Sequence, residues 1–207
     1  MPTARDRERR DAARRAAQLV RDGWRVGLGT GNTVSHLLPA LAERGLDIRC
    51  VATSPATEHA ARRAGLPVEP FDALVELDIA IDGADQVAPD RWLVKGGGGA
   101  HTREKIVAAA ARRFVVIVSS EKLVDRIHPP VPLEVMRYGA AATLRRLGEV
   151  TPRDGAPPSP DGGLIADWHG AVGDPAALAA RFDAEPGIVD HGLFPPSMVS
   201  DVIVGGG

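Results

Sequence analysis

Apolar and polar positions along this chain switch repeatedly between helical and strand periods, and glycine marks most of the switches. Residues 5–20 have the spacing of an amphipathic helix that ends before Asp22-Gly23. Residues 24–28 read as a short strand, stopped by the glycine-rich GLGTGNT of 27–33. Helical spacing returns over 34–44, with Leu37, Leu38 and Leu41 on one face and Gly45 closing the run. A strand is predicted at 48–52, a helix at 57–64 closed by Gly65, and a buried-type strand at 78–81. A helix at 100–113 and an apolar strand at 114–118 follow. Strands alternating with helices of about ten residues predict an α/β, Rossmann-like fold: a mostly parallel sheet with helices on both faces.

The pattern changes near His128. Pro129, Pro130 and Pro132 break regular structure and suggest a boundary. Beyond them a helix is predicted around Leu144 and Leu147, and a strand near Val150. The Pro-, Gly- and Asp-rich stretch 151–163 reads as a hairpin loop. A strand at 164–168, a helix at 175–183 with Pro at its first turn, and a short strand at Ile188 and Val189 complete this part. We therefore expect a Rossmann-like domain over 1–128 and a small α+β domain over 129–198. The segment 199–207 should return to the large sheet as its last strand. A unit of about 70 residues is marginal alone, so it should pack on the first.

Composition narrows the classes. Hydrophobic residues make up 44 % and charged residues 25 % of 207 residues, which excludes disordered, collagen-like and coiled-coil chains. The net charge of −2 removes the basic footprint of a nucleic-acid binder. Purely apolar runs in the middle of the chain, 114–118 among them, are far too short to span a membrane. The N-terminal stretch has arginines but no apolar core for a signal peptide, and Asp6, Glu8 and Asp11 disfavour a transit peptide. Cys50 is the single cysteine, so neither an internal disulfide nor a cysteine zinc cluster can form. The expectation is a soluble, reduced, cytoplasmic protein. One count changes the picture more. Of 25 basic residues, only Lys95, Lys105 and Lys122 are lysines. Lysine offers a compact ammonium where arginine offers a wide planar fork.

Three stretches carry candidate chemistry. GLGTGNT follows a strand and opens a helix, so its backbone N–H groups can approach an anion at a helix N-terminus. Thr30, Asn32 and Thr33 add side-chain donors around Gly31. The stretch lacks the Gly-Lys-Ser/Thr ending of a Walker A loop and the spacing of the dinucleotide fingerprint. IDGADQV places Asp82, Gly83, Ala84 and Asp85 at the end of an apolar strand, where open α/β sheets put their ligands. The plainer reading is a hairpin turn with 91–94 as partner. Two acids three apart define no metal site, and no histidine in that segment completes one. LVKGGGGAHTREKIV sets Lys95 before four consecutive glycines. Gly96, Gly97, Gly98 and Gly99 cost chain entropy that a plain loop seldom needs, whereas a backbone pressed on a ligand does. Glu104 is either functional or a surface acid favourable to the helix dipole, and Lys105 reads as solvent-exposed. The histidines show no metal-ligand spacing, and Ser54, Ser119 and Ser120 lack a nucleophile-elbow context.

Taken in order and spacing, GLGTGNT, TSPAT at 53–57, IDGADQV, LVKGGGGAHTREKIV, Lys122 after an apolar strand, PLEV at 132–135 and GLF at 192–194 resemble the type A ribose-5-phosphate isomerase family. The resemblance runs from about residue 9 to the C-terminus. It implies interconversion of ribose 5-phosphate and ribulose 5-phosphate with no metal and no organic cofactor. It also implies a homodimer or homotetramer whose ligand is a small-molecule sugar phosphate, not a nucleic acid or a membrane. The family's substrate positions correspond to Thr30–Thr33, Asp82–Asp85, Lys95–Gly98 and Lys122, and its proton-transferring base to Glu104. The chemistry agrees. Moving a proton between C1 and C2 needs a carboxylate and donors for an oxyanion, for which Lys95 and glycine N–H groups are suited. Asp82 or Asp85 can assist ring opening and proton transfer on the sugar oxygens. Asn32 stands where Ser is usual in the family, Gln86 where Glu is usual, and Arg137 where Pro is common. Another sugar-phosphate enzyme, such as an amino-sugar phosphate deaminase-isomerase, would show a histidine for ring opening. A sugar-phosphate sensor has no need of Lys95 and Glu104.

Overall fold

A computed structural model of the protein describes residues 2–206, and Ala73 by its backbone only. The expected domain ends at 1 and 207 therefore lie outside the described residues. The elements, in chain order, are α1 (Ala4–Ala17), β1 (Arg25–Leu28), α2 (Asn32–Ala42), β2 (Arg49–Ala52), α3 (Pro55–Arg63), β3 (Ile79–Asp82), β4 (Gln86–Val87) and β5 (Leu93–Val94). They continue with α4 (His101–Ala109), β6 (Phe114–Val118), β7 (Val131–Val135), α5 (Ala140–Leu147), β8 (Val150–Pro152), β9 (Leu164–Trp168), α6 (Pro175–Asp183), β10 (Ile188–His191), β11 (Leu193–Phe194) and β12 (Asp201–Val204).

Two compact units emerge. The first takes the chain up to Ala84, Arg103–Leu123 and the residues from Ser197 on; the second takes Asp85–Thr102 and Val124–Pro196. This division differs from a cut at 128/129, chiefly over 85–102. The physical reason is strand pairing. β4 and β5 form an antiparallel hairpin whose other edge is β11, and Ala88 and Val94 join the second unit's core.

In the first unit, five parallel strands run in the order β12-β6-β3-β1-β2. β12 pairs with β6 along its whole length, as the returning strand should. The chain leaves β1 to build β2 on one side, then crosses to build β3 on the other. The order therefore reverses between β1 and β3, which is where an open α/β sheet leaves a crevice at its carboxyl edge. Thr3 and Asp6 form a capping box at the start of α1, satisfying two orphan donors. The small residues Ala12, Ala13, Ala16 and Ala17 of α1 are fully buried, and share a core with Val34, Leu37, Leu38 and Leu41 of α2 and Ile79 and Ile81 of β3.

The second unit holds a four-stranded antiparallel sheet, β10-β7-β9-β8. Leu133, Val135, Ala166, Trp168 and Phe182 lie at its core. The prolines near 130 do not end regular structure, as the sequence suggests. Pro132 sits inside β7, opposite Asp167 of β9. The ladder to β10 covers only Leu133 to Val135, so the N–H that proline lacks is not missed there. Its carbonyl accepts from the Gly192 N–H at 2.7 Å. The helix expected over 100–113 stops at Ala109, because the next residues leave for a bridge with Leu77. Leu77 donates to the Ala110 carbonyl and accepts from the Arg112 N–H, both at 2.9 Å.

Candidate active site

In the first unit the sequence-predicted residues gather at the carboxyl edge of the sheet. Asp82 ends β3 and is only 3 % exposed. Its Oδ1 accepts from the backbone N–H of Thr30 at 2.9 Å and of Gly83 at 2.7 Å. These contacts exist because position 29 has no side chain. A Cβ on Gly29 would stand 1.9 Å from Asp82 Oδ1. Buried charge is tolerated where such hydrogen bonds meet it.

Thr30 is fixed from its other side. Its hydroxyl lies 2.7 Å from that of Thr53 and donates to Ser54 Oγ at 3.0 Å. The Thr57 hydroxyl donates to the Gly29 carbonyl at 2.9 Å. Ser54, read from sequence only as a serine without a nucleophile's setting, caps α3 through the Thr57 N–H. The TSPAT segment thus buttresses the glycine turn. Gly31 precedes α2 with φ of 115°, and Asn32 and Thr33 supply its first N–H groups, which have no partner within the helix.

Lys122 closes a 3-10 turn just past β6. Because β6 pairs in parallel with β3, this turn opens on the same edge as Asp82 and the glycine turn. Helix α1 secures it. Glu8 Oε2 accepts from both the N–H and the hydroxyl of Ser120, each at 2.8 Å, and these bonds hold the Glu8 carboxyl below its usual range. Arg5 and Arg9 pair with the neighbouring Glu121.

In the second unit Lys95 follows β5. Its N–H donates to the Gly192 carbonyl at 2.9 Å, the residue is 2 % exposed, and its ammonium stands 5.5 Å from the centre of the Phe194 ring. The following loop turns at Gly96, whose φ of 103° suits glycine, and the Gly99 N–H closes the turn on the Gly96 carbonyl. Asp85 Oδ2 accepts from the Gly97 N–H at 2.7 Å. Gly97 and Gly98 are exposed, while Gly96 and Gly99 are buried.

Glu104 lies in the first turn of α4 and is 4 % exposed, so it is not the surface acid that the plainer reading allows. The structure thus groups Thr30, Asp82 and Gly83 by hydrogen bonds in one unit, and Asp85 and Gly97 in the other. Ala84 is a half-buried linker residue after Gly83.

Sequence reasoning missed Arg153. It lies just past β8 in the predicted hairpin loop, forks onto Asp167 of β9, and donates to the carbonyls of Gly96 and Gly97. The only signal was a single arginine facing an acid across a predicted hairpin. Among the described residues no three His, Cys, Asp or Glu side chains converge, and no helix is long and apolar enough to cross a membrane.

A parallel sheet with a glycine-rich turn and a buried, amide-held carboxylate at its switch point defines an α/β protein whose carboxyl edge is suited to an anionic small molecule. Comparison with known proteins makes this specific. The family model described as ribose 5-phosphate isomerase A (phosphoriboisomerase A) matches residues 49–207. The ribose-5-phosphate isomerase A of Afipia carboxidovorans is 46 % identical over 205 residues, covering 90 % of this chain and 87 % of that protein. The crystal structure of ribose 5 phosphate isomerase A from Neisseria gonorrhoeae superposes with a TM-score of 0.93 at 32 % identity, over 99 % of this chain and 95 % of that one. A D-ribose-5-phosphate isomerase in complex with phospho-erythronic acid superposes at 0.92 with 31 % identity, over 98 % and 96 %. The chain belongs to the ribose 5-phosphate isomerase A family, and its activity is that of a ribose-5-phosphate isomerase.

Proposed function

We propose that the isomerisation proceeds through an enediolate, with Glu104 as the base. In the open-chain aldose, the Glu104 carboxylate takes the proton from C2. The C–H electrons form the C1–C2 double bond, and the carbonyl electrons move onto O1. Lys95 and the N–H groups of the glycine loop offset the charge on O1. A proton passes from the C2 hydroxyl to O1, the C2 carbonyl forms, and Glu104 returns its proton to C1. Asp82 or Asp85 serves ring opening and the transfers between sugar oxygens. Thr30, Gly31, Asn32 and Thr33, at the N-terminus of α2, hold the phosphate with Lys122. Gly83, Ala84, Gly96, Gly97 and Gly98 complete the substrate contacts. No step calls on a metal or an organic cofactor.

The observation that carries this reading is the burial of Glu104, since a carboxylate kept from water in a helix's first turn has a use beyond the surface. A ligand such as phospho-erythronic acid supports it by chemistry: a carboxylate at one end imitates the enediolate charge, and a phosphate occupies the other. The test is exchange of the C2 proton of ribose 5-phosphate with deuterated solvent. Glu104→Gln keeps the shape and removes the base, so exchange and kcat should fall by about 10²–10⁴, the usual size of general-base catalysis. A folded, substrate-saturated variant exchanging at the wild-type rate would overturn the assignment.

The reaction belongs to the non-oxidative pentose phosphate pathway in the cytoplasm. The assembly is read as a homodimer or homotetramer, for which the exposed Met136, Tyr138 and Val189 of the second unit speak. Light scattering at micromolar concentration tests it, and an active monomer would refute it.

A further inference from the structure

The glycine loop after Lys95 is gripped by a side chain to which the mechanism above gives no part. Arg153 Nη1 donates to the carbonyl oxygens of Gly96 and Gly97, each at 3.0 Å. Its Nε and Nη2 form a fork on the two carboxylate oxygens of Asp167, at 2.8 and 2.6 Å. Both side chains are mostly buried. The backbone of Arg153 is pinned as well, its N–H donating to the Ile165 carbonyl at 3.0 Å. Asp167, with Asp85 adding to it, favours the charged guanidinium and raises its pKa further. A lysine, with three donors on one nitrogen, could not fork on Asp167 and also hold both carbonyls.

Peptide planarity turns these contacts into directions. The C=O and N–H of a trans peptide point opposite ways. With the Gly96 carbonyl facing Arg153, the Gly97 N–H must face away, and it is found on Asp85. With the Gly97 carbonyl on the same guanidinium, the Gly98 N–H must also face away. Among the described residues nothing accepts from that N–H, and Gly98 is exposed. A cation on the carbonyl side also polarises the peptide and makes its N–H a stronger donor.

We propose that Arg153 and Asp167 are positioning residues for the isomerisation, fixing the two glycine peptides so that the Gly98 N–H meets the oxyanion of the reaction. This rests on the enediolate reading. Because the oxyanion exists only beyond the ground state, the effect belongs in kcat.

The experiment uses Arg153→Ala, Arg153→Lys and Asp167→Asn in the full chain. For Arg153→Ala, kcat should fall about tenfold, short of the 10²–10³ that follows outright removal of an oxyanion donor, while KM stays within about twofold. Affinity for phospho-erythronic acid should weaken in parallel with kcat. Affinity for ribitol 5-phosphate, which carries no anion at that end, should hold. Arg153→Lys should restore little, and Asp167→Asn, which keeps its shape, should move kcat the same way by less. A purely structural role would lower the unfolding midpoint yet leave kcat per folded molecule and the ratio of the two affinities unchanged. That outcome in folded Asp167→Asn and Arg153→Lys overturns the proposal. Glu104→Gln, measured alongside, separates the two claims. If it retains wild-type exchange, the assignment of Glu104 as base fails. If it is inactive while the Arg153 variants match wild type, only the positioning role fails.

Discussion

Gly29→Ala adds one methyl group at the point where the sheet's switch-point carboxylate meets the glycine turn. The backbone at 29 is not in the left-handed region, so alanine suits it. The obstacle is steric. The new Cβ would stand 1.9 Å from Asp82 Oδ1, 2.0 Å from Cγ and 2.5 Å from Cβ. No rotation of the far end of the chain relieves a clash with Cβ itself, so Asp82 must leave its place or the turn must move. Either way Oδ1 loses the N–H groups of Thr30 and Gly83. Hydrogen bonds to a charged group contribute about 1.5–3 kcal/mol each, so losing both costs about 3–6 kcal/mol. For a chain of this length that lowers Tm by about 10–20 °C.

Urea unfolding followed by tryptophan fluorescence reads the stability, and isomerase activity on the folded variant reads the site. Gly29→Ala should be destabilised by the stated amount and lose most of its activity, because a proposed catalytic carboxylate is displaced. Asp82→Ala combined with Gly29→Ala is the informative partner. Removing the carboxylate removes the clash, so the double variant should be more stable than the sum of the two single changes implies, yet remain inactive. If Gly29→Ala unfolds within about 0.5 kcal/mol of wild type, the size of an ordinary surface change, the packing argument is wrong.

Gln86→Glu should cost about 1–3 kcal/mol at neutral pH. The Gln86 amide donates to the His128 carbonyl at 2.8 Å and accepts from its N–H at 3.0 Å, and a carboxylate cannot do the first. A protonated glutamate can, so the folded state should raise that pKa, and the deficit should shrink as pH falls and grow as it rises; a pH-independent deficit in urea titrations refutes this. Cys50 is fully buried, and desolvation pushes its thiol up to about 12. Iodoacetamide at pH 8 should therefore label it only after denaturation. Lys122→Ala should raise KM and largely spare kcat, since a phosphate far from C1 and C2 gives uniform binding; a large kcat loss at unchanged KM would move Lys122 to the chemistry. Activity should survive EDTA, because side chains and backbone account for every proposed step; loss on chelation with rescue by a divalent ion would refute that.

Much of the first unit was legible because local rules and the global fold agree there. The strand at 114–118 and the helix start at the glycine turn follow from apolar runs and glycine punctuation, and the return of 201–204 to the sheet follows from its apolar triplet. What was not legible depended on partners far along the chain. Prolines at 129, 130 and 132 look like breakers, yet Pro132 lies in β7 because the β10 ladder begins one residue later. By its spacing IDGADQV reads as either a hairpin turn or a ligand site, whereas Asp82 ends a parallel strand and Gln86 begins an antiparallel hairpin. The departure at Gln86 makes sense only once His128 stands opposite it. Arg153 offered almost nothing to a sequence reader, since its carbonyl partners lie more than fifty residues away.

The chain's arginine bias gains a physical meaning from Lys95 and Arg153, two cations that serve the same glycine loop in the second unit. Lys95 is buried at 2 % exposure beside the Phe194 ring. A guanidinium there would need room for a planar fork and partners for five N–H groups, and a buried donor without a partner costs more than it contributes. An ammonium turns freely about its bond and can follow a charge that appears on one oxygen and then moves to the next, as the proposed proton transfers require. Arg153 faces the opposite demand. Two carbonyls and a carboxylate are fixed before any substrate arrives, and a rigid fork matches fixed acceptors at little entropic cost. In the proposed mechanism the moving charge falls to the lysine and the standing framework to the arginine, so exchanging the two residue types should fail at either position although net charge is conserved.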